Sequence, residues 1–289
     1  MTGVETRRVH GTMRVARLVA PGRFEVADDP KPRPAAGEVL VRVEGCGVCA
    51  SSLPLWEGRP WFAYPLDAGA PGHEAWGRID DGTRVAILTQ RGFAEWAVAD
   101  QTHVVPLPPE LDELPFPGEA FACAVNVVQR SDVAAEARVA VVGVGFLGSA
   151  VAQLCRALGA EVVEVRRGAG VDGTFARVIE CAGTQGALDS ASSLVAEGGR
   201  LVVAGYHQDG RRVVDLQSWN WRGIDVVNAH ERDPLRVVDA MGDAARLAAA
   251  GDLDVEQLVT HRFELGSLAE AFTAAAERPS GFVKGWVAP

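Results

Sequence analysis

The sequence predicts an α/β protein in which a parallel sheet with flanking helices occupies the middle of the chain and β-rich segments lie on both sides of it. Three observations lead to this fold class. The apolar run from Val139 to Val142 is typical of a strand buried on both faces. Glycines follow at once, and apolar residues then recur at helical spacing as far as Gly159. A second run, Glu161 to Val165, completes a β-α-β unit.

The segments before this unit predict short strands separated by proline-rich loops. Residues 1 to about 11 are polar and are expected to be frayed. Met13 to Val26 predicts a β-hairpin, and Asp28 to Gly37 is expected to be irregular because every second or third residue is proline or glycine. Glu38 to Glu44 predicts a strand with valines on one face. Further strands are expected at 84–88, 92–98 and 104–105.

Helical and strand patterns alternate from residue 119 onwards, but one part is short. Between Val165 and Arg177 there is room neither for a helix nor for a further strand. Residues 255–263 and 281–287 again favour β structure, so we expect a central domain, 119–256, bracketed by a discontinuous one, 1–118 and 257–289. The remaining predicted elements are helices at 120–130, 186–195 and 234–250 and strands at 177–181, 199–204 and 224–228.

Composition narrows the class of protein. A chain of 289 residues with 48% hydrophobic content suits two globular domains. The net charge of −10 argues against nucleic acid or an anionic membrane as partner, because both require basic surfaces. No apolar run is long enough to span a bilayer, and the N-terminus lacks an apolar signal core, so a cytoplasmic location is expected. Five cysteines do not indicate a disulfide framework.

The glycine-rich turn carries the first functional prediction. Strand, Gly-x-Gly-x-x-Gly and helix in this order form the arrangement in which backbone N–H groups and a positive helix end receive a dinucleotide pyrophosphate. The alternative is a glycine turn that binds nothing. The residues concerned are Gly143, Gly145, Phe146, Leu147 and Gly148.

An ordered set of motifs resembles the medium-chain dehydrogenase/reductase superfamily, in its zinc-dependent alcohol, polyol and threonine dehydrogenase branch. The resemblance implies a GroES-like β-rich catalytic domain and a Rossmann domain, here shortened. The chain would be a shortened member of this branch, because it lacks the four-cysteine lobe that holds a structural zinc in many relatives. The motifs are 45–53, 72–74, 118–122, 143–148, 180–183 and 199–205.

The resemblance implies one catalytic zinc ion held by Cys49, His73 and Glu119, and no structural zinc. Glu74 would lie beside the metal, either as a group that contacts the ligands or as an alternate ligand. One thiolate, one imidazole and one carboxylate leave an open position, as catalytic zinc requires. Ser51 stands where the family's hydroxyl passes the proton. The alternatives are a buried thiol, a loop histidine and a carboxylate that only stabilises a helix N-terminus.

The chain departs from the family pattern beside this predicted metal site. Relatives usually have Gly-[Ser/Thr]-Asp after the ligand cysteine, whereas Ala50, Ser51 and Ser52 stand here, so the aspartate is absent. Pro54 replaces a histidine that many relatives use to relay protons. Cys46 is interpreted as a core residue, because no second Cys-x-x-Cys pair accompanies it.

The predicted cofactor is NADP(H) rather than NAD(H). Arg166 and Arg167 stand at the end of the second strand, where relatives that prefer NAD carry an acidic residue, and arginine suits a 2′-phosphate. The alternative is two solvated surface arginines. His230 and Glu231 either face the substrate cleft or form a polar turn. By resemblance, the nicotinamide would lie against Gly205, Tyr206, Asn228 and Ala229.

The expected function is therefore oxidoreduction between NADP(H) and a secondary alcohol or ketone, with a polar small molecule as substrate. Two alternatives remain open at this point. One is a zinc-independent NADPH reductase of a quinone or activated alkene, and the other is a degenerate, non-redox member that no longer binds dinucleotide. A homodimer is also expected, since relatives often pair through the edge strand of the Rossmann sheet.

Overall fold

The computed structural model describes residues 11–289, so the N-terminal segment that was predicted to fray lies almost entirely outside the described residues. Two sheets dominate these residues, together with a two-stranded hairpin. The strands are β1 Thr12–Ala20, β2 Arg23–Pro30, β3 Glu38–Gly47, β4 Ala75–Arg78, β5 Arg84–Ile87, β6 Trp96–Asp100, β7 Val104–Pro106, β8 Arg138–Val142, β9 Glu161–Val165, β10 Phe175–Glu180, β11 Val195–Val203, β12 Asp225–Asn228, β13 His261–Glu264 and β14 Gly285–Ala288.

Eight α-helices within residues 11–289 connect and cover these sheets. The longest, Pro234–Ala250, illustrates how sequence sets the boundaries: the Asp233 side chain accepts the Leu235 N–H, Pro234 occupies the first turn, and Gly251 ends the helix at φ +84°. The helices are α1 Leu53–Glu57, α2 Gly118–Ser131, α3 Phe146–Ala157, α4 Gln185–Leu194, α5 Leu216–Trp221, α6 Pro234–Ala250, α7 Val255–Leu258 and α8 Leu268–Glu277.

The central sheet is parallel and has the strand order β12-β11-β10-β8-β9. Its middle strands are apolar because both faces are covered, with Val139, Val141 and Ile179 fully buried. The carboxyl ends of all five strands lie along one edge, which is where ligands bind in sheets of this kind. The predicted α/β fold class is therefore confirmed.

The second sheet has seven strands and joins both ends of the chain. Strand β14 pairs with β3, Val287 opposite Cys46, so the C-terminal strand lies beside an N-terminal one. This pairing supports the discontinuous domain proposed from the sequence, while its boundaries at 118/119 and 256/257 remain a prediction.

Most of the predicted elements of the central sheet are confirmed, and so is the absence of a helix or strand between β9 and β10. Other predictions were wrong. Asp28 to Pro30 belong to β2, because Pro30 lies opposite Thr12 at the open end of a hairpin, where a missing N–H is tolerated. The strand expected at 92–98 begins only at Trp96.

The C-terminal region contains the largest differences from the prediction. Residues 255–258 form a helix, because the Asp254 side chain accepts the Gln257 N–H and starts a turn. The segment before Gly285 is a turn, with Gly281 at φ +82° and the Phe282 N–H bonded to Pro279 O, so only 285–288 form a strand. Helix α8 was not predicted.

Candidate active site

Antiparallel pairing of β3 with β4 brings the predicted ligands Cys49 and His73 together. Cys49 lies just beyond the end of β3, and His73 and Glu74 lie just before β4; the Gly47 N–H donates to Glu74 O at 3.0 Å. The ligand atoms of Cys49, His73 and Glu74 all lie within 4.8 Å of one another. His73 Nδ1 is 3.0 Å from Pro71 O, an acceptor, so Nδ1 keeps a proton and Nε2 is the nitrogen available to a metal.

Glu119 approaches this cluster from the first turn of α2 but does not belong to the compact set of three. Its Oε1 accepts a hydrogen bond from Cys123 Sγ at 3.4 Å, one helical turn along. Burial and the nearby Glu74 raise the pKa of Glu119, while His73 opposes them. Glu119 is thus close enough to His73 for their charges to interact, and its role as a metal ligand remains a prediction.

Lys284 is the residue that the sequence reasoning missed. Its Nζ lies 2.8 Å from the carboxylate of Glu74, with 5% of the lysine side chain and none of the glutamate exposed. It also donates to Val48 O at 3.4 Å and lies 4.5 Å from the centroid of the Phe146 ring. A single lysine among the apolar residues of 282–288 was the available signal, because a lysine is buried only where a partner compensates its charge.

The electrostatics of the cluster fit a bound cation. Burial lowers the pKa of His73, but the acidic groups of Cys49, Glu119 and Glu74 outweigh it and raise that pKa to about 10. Glu74 Oε2 is buried without a hydrogen-bond partner, although the Lys284 ammonium lies close to it. A soft sulfur, an imidazole and carboxylates, with more acidic than basic groups, form a donor set that suits zinc.

Ser51 is an exposed residue beside Cys49. Its hydroxyl is 3.1 Å from Cys49 Sγ, and the residue is exposed, whereas Ser52 and Pro54 are buried behind it. Of the hydroxyls beside the cysteine, that of Ser51 is therefore the one that both approaches the sulfur and faces solvent.

The absence of a side chain has a different structural explanation at each of the three glycines of the motif. Gly143 has φ +92°, and a Cβ there would lie 2.5 Å from the Cβ of Ala182. A Cβ at Gly148 would lie 2.0 Å from Gly143 O. Gly145 faces open space, in which only Arg278 Nη1, at 3.5 Å, comes within 4 Å among the described residues outside its chain neighbours. The turn and the helix packing thus require two of the glycines, and the third leaves room for a ligand.

The glycine loop and the ligand cluster are adjacent. Phe146 opens α3, and its ring contacts Lys284, which in turn binds Glu74. The N-terminus of α3 has neither a side-chain cap nor an acidic residue in its first turn. Its amide groups are therefore available to an anion.

The other predicted cofactor residues follow the carboxyl ends of neighbouring strands. Gly205 and Tyr206 follow β11, and Ala229 follows β12, its N–H donating to Val203 O at 2.9 Å. Asn228 is the last residue of β12. These positions lie along the same sheet edge as Gly143 and Leu147, as a dinucleotide crevice requires.

Arg166 and Arg167 lie in an exposed turn beside the glycine loop, since the Gly143 N–H donates to Val165 O at 3.0 Å. Arg166 Nη2 is 3.3 Å from Glu164 Oε2, and 68% of the arginine side chain is exposed. Its guanidinium is therefore accessible to a ligand at this end of the crevice.

Glu231 belongs to a polar turn, which favours the second of the two interpretations made from the sequence. Its carboxylate accepts hydrogen bonds from the backbone N–H groups of Arg232 and Asp233 and from Arg130 Nη2 at 2.9 Å. These bonds lower its pKa to about 2. His230 is exposed.

Comparison with known proteins supports the resemblance noted in the sequence. No family model matches the chain. The L-galactonate-5-dehydrogenase of Escherichia coli K12 is 22% identical over 88% of this chain and 92% of its own length. An alcohol dehydrogenase of Geobacillus stearothermophilus is 30% identical over 50% of this chain and 55% of its own.

Solved structures share the fold. A provisionally assigned zinc-binding dehydrogenase from Sinorhizobium meliloti 1021, bound to NADP, superposes with a TM-score of 0.82 at 24% identity and covers 96% of this chain and 100% of its own. None of the helices within residues 11–289 combines the length and the apolar character needed to cross a bilayer. The chain is an alcohol dehydrogenase-like oxidoreductase with the relatives and the fold of the medium-chain dehydrogenase/reductase superfamily.

Proposed function

We propose that this protein is a zinc-dependent oxidoreductase that transfers a hydride between NADP(H) and a secondary alcohol or ketone, with a polar small molecule as substrate. The observation that carries the proposal is the compact group of Cys49, His73 and Glu74 beside the glycine loop. The name of the L-galactonate-5-dehydrogenase supports a polyhydroxylated substrate.

Cys49, His73 and Glu119 would hold the zinc ion, with Glu74 as the alternate ligand. Bound there, zinc supplies a Lewis acid that lowers the pKa of the substrate hydroxyl. Two further residues of the chain would act beside the metal, one by positioning a carboxylate and one by transferring a proton. Lys284 keeps Glu74 in place through their 2.8 Å contact, and Ser51 would pass the substrate's proton towards solvent.

The coenzyme would lie along the carboxyl edge of the central sheet. A bound nicotinamide supplies the hydride acceptor or donor. Gly145 leaves room for the pyrophosphate at the N-terminus of α3, and Arg166 and Arg167 would bind a 2′-phosphate. The S. meliloti structure bound to NADP supports the choice of coenzyme by analogy.

Metal content and thermal stability test the proposal together. We expect one zinc ion per chain by mass spectrometry, lost in Cys49→Ala and kept in the matched Cys155→Ala, whose thiol is buried in α3. The melting temperature should rise more with NADPH than with NADH. A chain without zinc that still binds NADPH would be a zinc-independent reductase of a quinone or activated alkene. A chain that binds neither would be a non-redox member.

A homodimer through the edge of the central sheet is also proposed. β12 is an edge strand, and Val226 on it is half exposed. Helix α5, which leads into β12, exposes Leu216 and 87% of Trp221. Unpaired edge groups beside large exposed apolar side chains are typical of an interface. Light scattering should give a dimer for the wild type and a monomer for Trp221→Asp; a wild-type monomer would refute the proposal.

A further inference from the structure

Arg278 reaches the glycine loop from a distant part of the chain. It follows α8 in the left-handed conformation, φ +50°, and its N–H donates to Ala274 O at 2.9 Å. The next residue is Pro279, which restricts the turn further. Nη1 of Arg278 lies 3.5 Å from the point that a Cβ would occupy at Gly145. The guanidinium therefore lies over the open side of the loop.

The charge of Arg278 has no counterpart nearby. Within residues 11–289, no carboxylate lies within 4.0 Å of its guanidinium, and no side-chain hydrogen bond forms with it. The N-terminus of α3, which it faces, also lacks an acidic residue and a side-chain cap. An exposed cation thus stands opposite the positive end of a helix, and an anion between the two would interact favourably with both.

The space between the guanidinium and the helix end is the space that Gly145 leaves open. Gly143 and Gly148 each have a close steric neighbour that explains the absence of a side chain, whereas Gly145 has φ −94° and would accept a Cβ within the fold. The need for glycine at this position is therefore explained by a ligand rather than by the protein's own packing.

We propose that Arg278 binds the pyrophosphate of the coenzyme from the side opposite to the α3 amide groups. This inference rests on the proposed dinucleotide site and adds to it a residue from the C-terminal segment. A guanidinium pairs with phosphate oxygens through two parallel hydrogen bonds, which suits a pyrophosphate better than a point charge does.

The position of Arg278 distinguishes its role from that of Arg166 and Arg167. The pyrophosphate is common to NADPH, NADH and ADP, so Arg278 would increase the affinity for all three by the same factor. The arginines after β9 would act only on the ligand that carries a 2′-phosphate. Arg278 also lies six residues before Lys284, so one short segment would contact both the pyrophosphate and the ligand cluster.

The test compares Arg278→Ala with the wild type in binding NADPH, NADH and ADP by titration calorimetry. We expect each dissociation constant to rise about 10- to 100-fold, by a similar factor for the three ligands, as the loss of a charge-assisted contact requires. Arg278→Lys should recover part of the affinity. Added salt should weaken binding more in the wild type than in the alanine variant.

Two further variants separate binding from folding. Arg278→Gly relieves the left-handed strain, so it should lose the same affinity while keeping or increasing thermal stability. Arg246→Ala, which removes an exposed arginine from α6, is the matched control and should bind all three ligands as the wild type does.

The affinities of Arg278→Ala for the three ligands decide whether Arg278 binds the pyrophosphate. Affinities within about twofold of the wild type in Arg278→Ala would overturn the assignment, since a contact to phosphate is worth more than that. A loss confined to NADPH would also overturn it, because Arg278 would then contact the 2′-phosphate. If the wild type binds none of the three ligands, the proposed function fails instead, independently of Arg278.

Discussion

The two ends of the proposed coenzyme crevice differ in how the protein accommodates charge. At the metal end, Glu74 and Lys284 are buried and 2.8 Å apart, with acidic neighbours on the same cluster. At the opposite end, Arg166 is 68% exposed and only loosely paired with Glu164. Substitutions at the first end should therefore change folding as well as chemistry, whereas those at the second should change affinity alone.

The largest effect is expected for Lys284→Met, which keeps the aliphatic length and removes the charge. Glu74 would then be a buried carboxylate that has lost its ion-pair partner, so the free energy of unfolding should fall by about 3–5 kcal/mol in urea titration. The double variant Glu74→Gln/Lys284→Met is the control, because it leaves no charge unpaired and should recover much of the loss. Equal stability of the single variant and the wild type would show that the buried carboxylate of Glu74 does not need the charge of Lys284.

Two glycines of the glycine loop should show the same contrast between an effect on folding and an effect on affinity alone. Gly148→Ala places a Cβ 2.0 Å from Gly143 O, so unfolding free energy should fall by about 1–3 kcal/mol. Gly145→Ala should change it by less than about 0.5 kcal/mol yet weaken NADPH binding, since the methyl group fills the ligand's space. Chemical unfolding and calorimetry on both variants test this; a strongly destabilised Gly145→Ala would contradict the steric argument.

Zinc affinity should depend on pH in a defined direction. The pKa of His73 in the metal-free fold is raised to about 10 from an ordinary value of 6.5, so below pH 10 the imidazole must release a proton before Nε2 can bind a metal. Zinc affinity should then increase by at least about tenfold per pH unit between pH 6 and 8, as competition with a chromophoric chelator would measure. An affinity independent of pH would show that His73 is already neutral or is not a ligand.

The smallest effect on stability is expected at the exposed end. Arg166→Asp should leave the unfolding free energy within about 0.5 kcal/mol of the wild type, because a surface ion pair contributes little. It should nevertheless weaken NADPH binding and leave NADH binding unchanged or stronger, since a carboxylate repels a 2′-phosphate and accepts ribose hydroxyls. Dissociation constants for the two coenzymes test this. An unaltered preference for NADPH over NADH would show that Arg166 does not determine the choice of coenzyme.

Local patterns were sufficient to predict the central sheet and the positions of its loops. Buried parallel strands are continuous apolar runs, and Gly143 and Gly159 mark turns that need positive φ. Short segments near the C-terminus were predicted less well. Residues 255–258 were expected to form a strand, but the capping hydrogen bond of Asp254 and the bond from the Val259 N–H to Val255 O hold them in a helical turn.

The candidate site was predicted in part for a similar reason. Cys49, His73 and Glu74 stand in motifs that can be recognised by neighbouring letters. Lys284 and Arg278 carry no such motif, and their roles depend on neighbours that are more than a hundred residues away along the chain: Glu74 for one and Gly145 for the other. Single positions of this kind cannot be assigned from spacing, because the partner is not local.

The sequence by itself determined the α/β class, the order of strands and helices around the glycine loop, and the residue types available for metal and coenzyme. The tertiary structure alone decided which charges meet. Pairing of β14 with β3 carries Lys284 to Glu74, and the turn after α8 places Arg278 over Gly145. Hydrophobic periodicity acts over a few residues and is visible in the chain, whereas burial of a charge is tolerated only where folding supplies a partner.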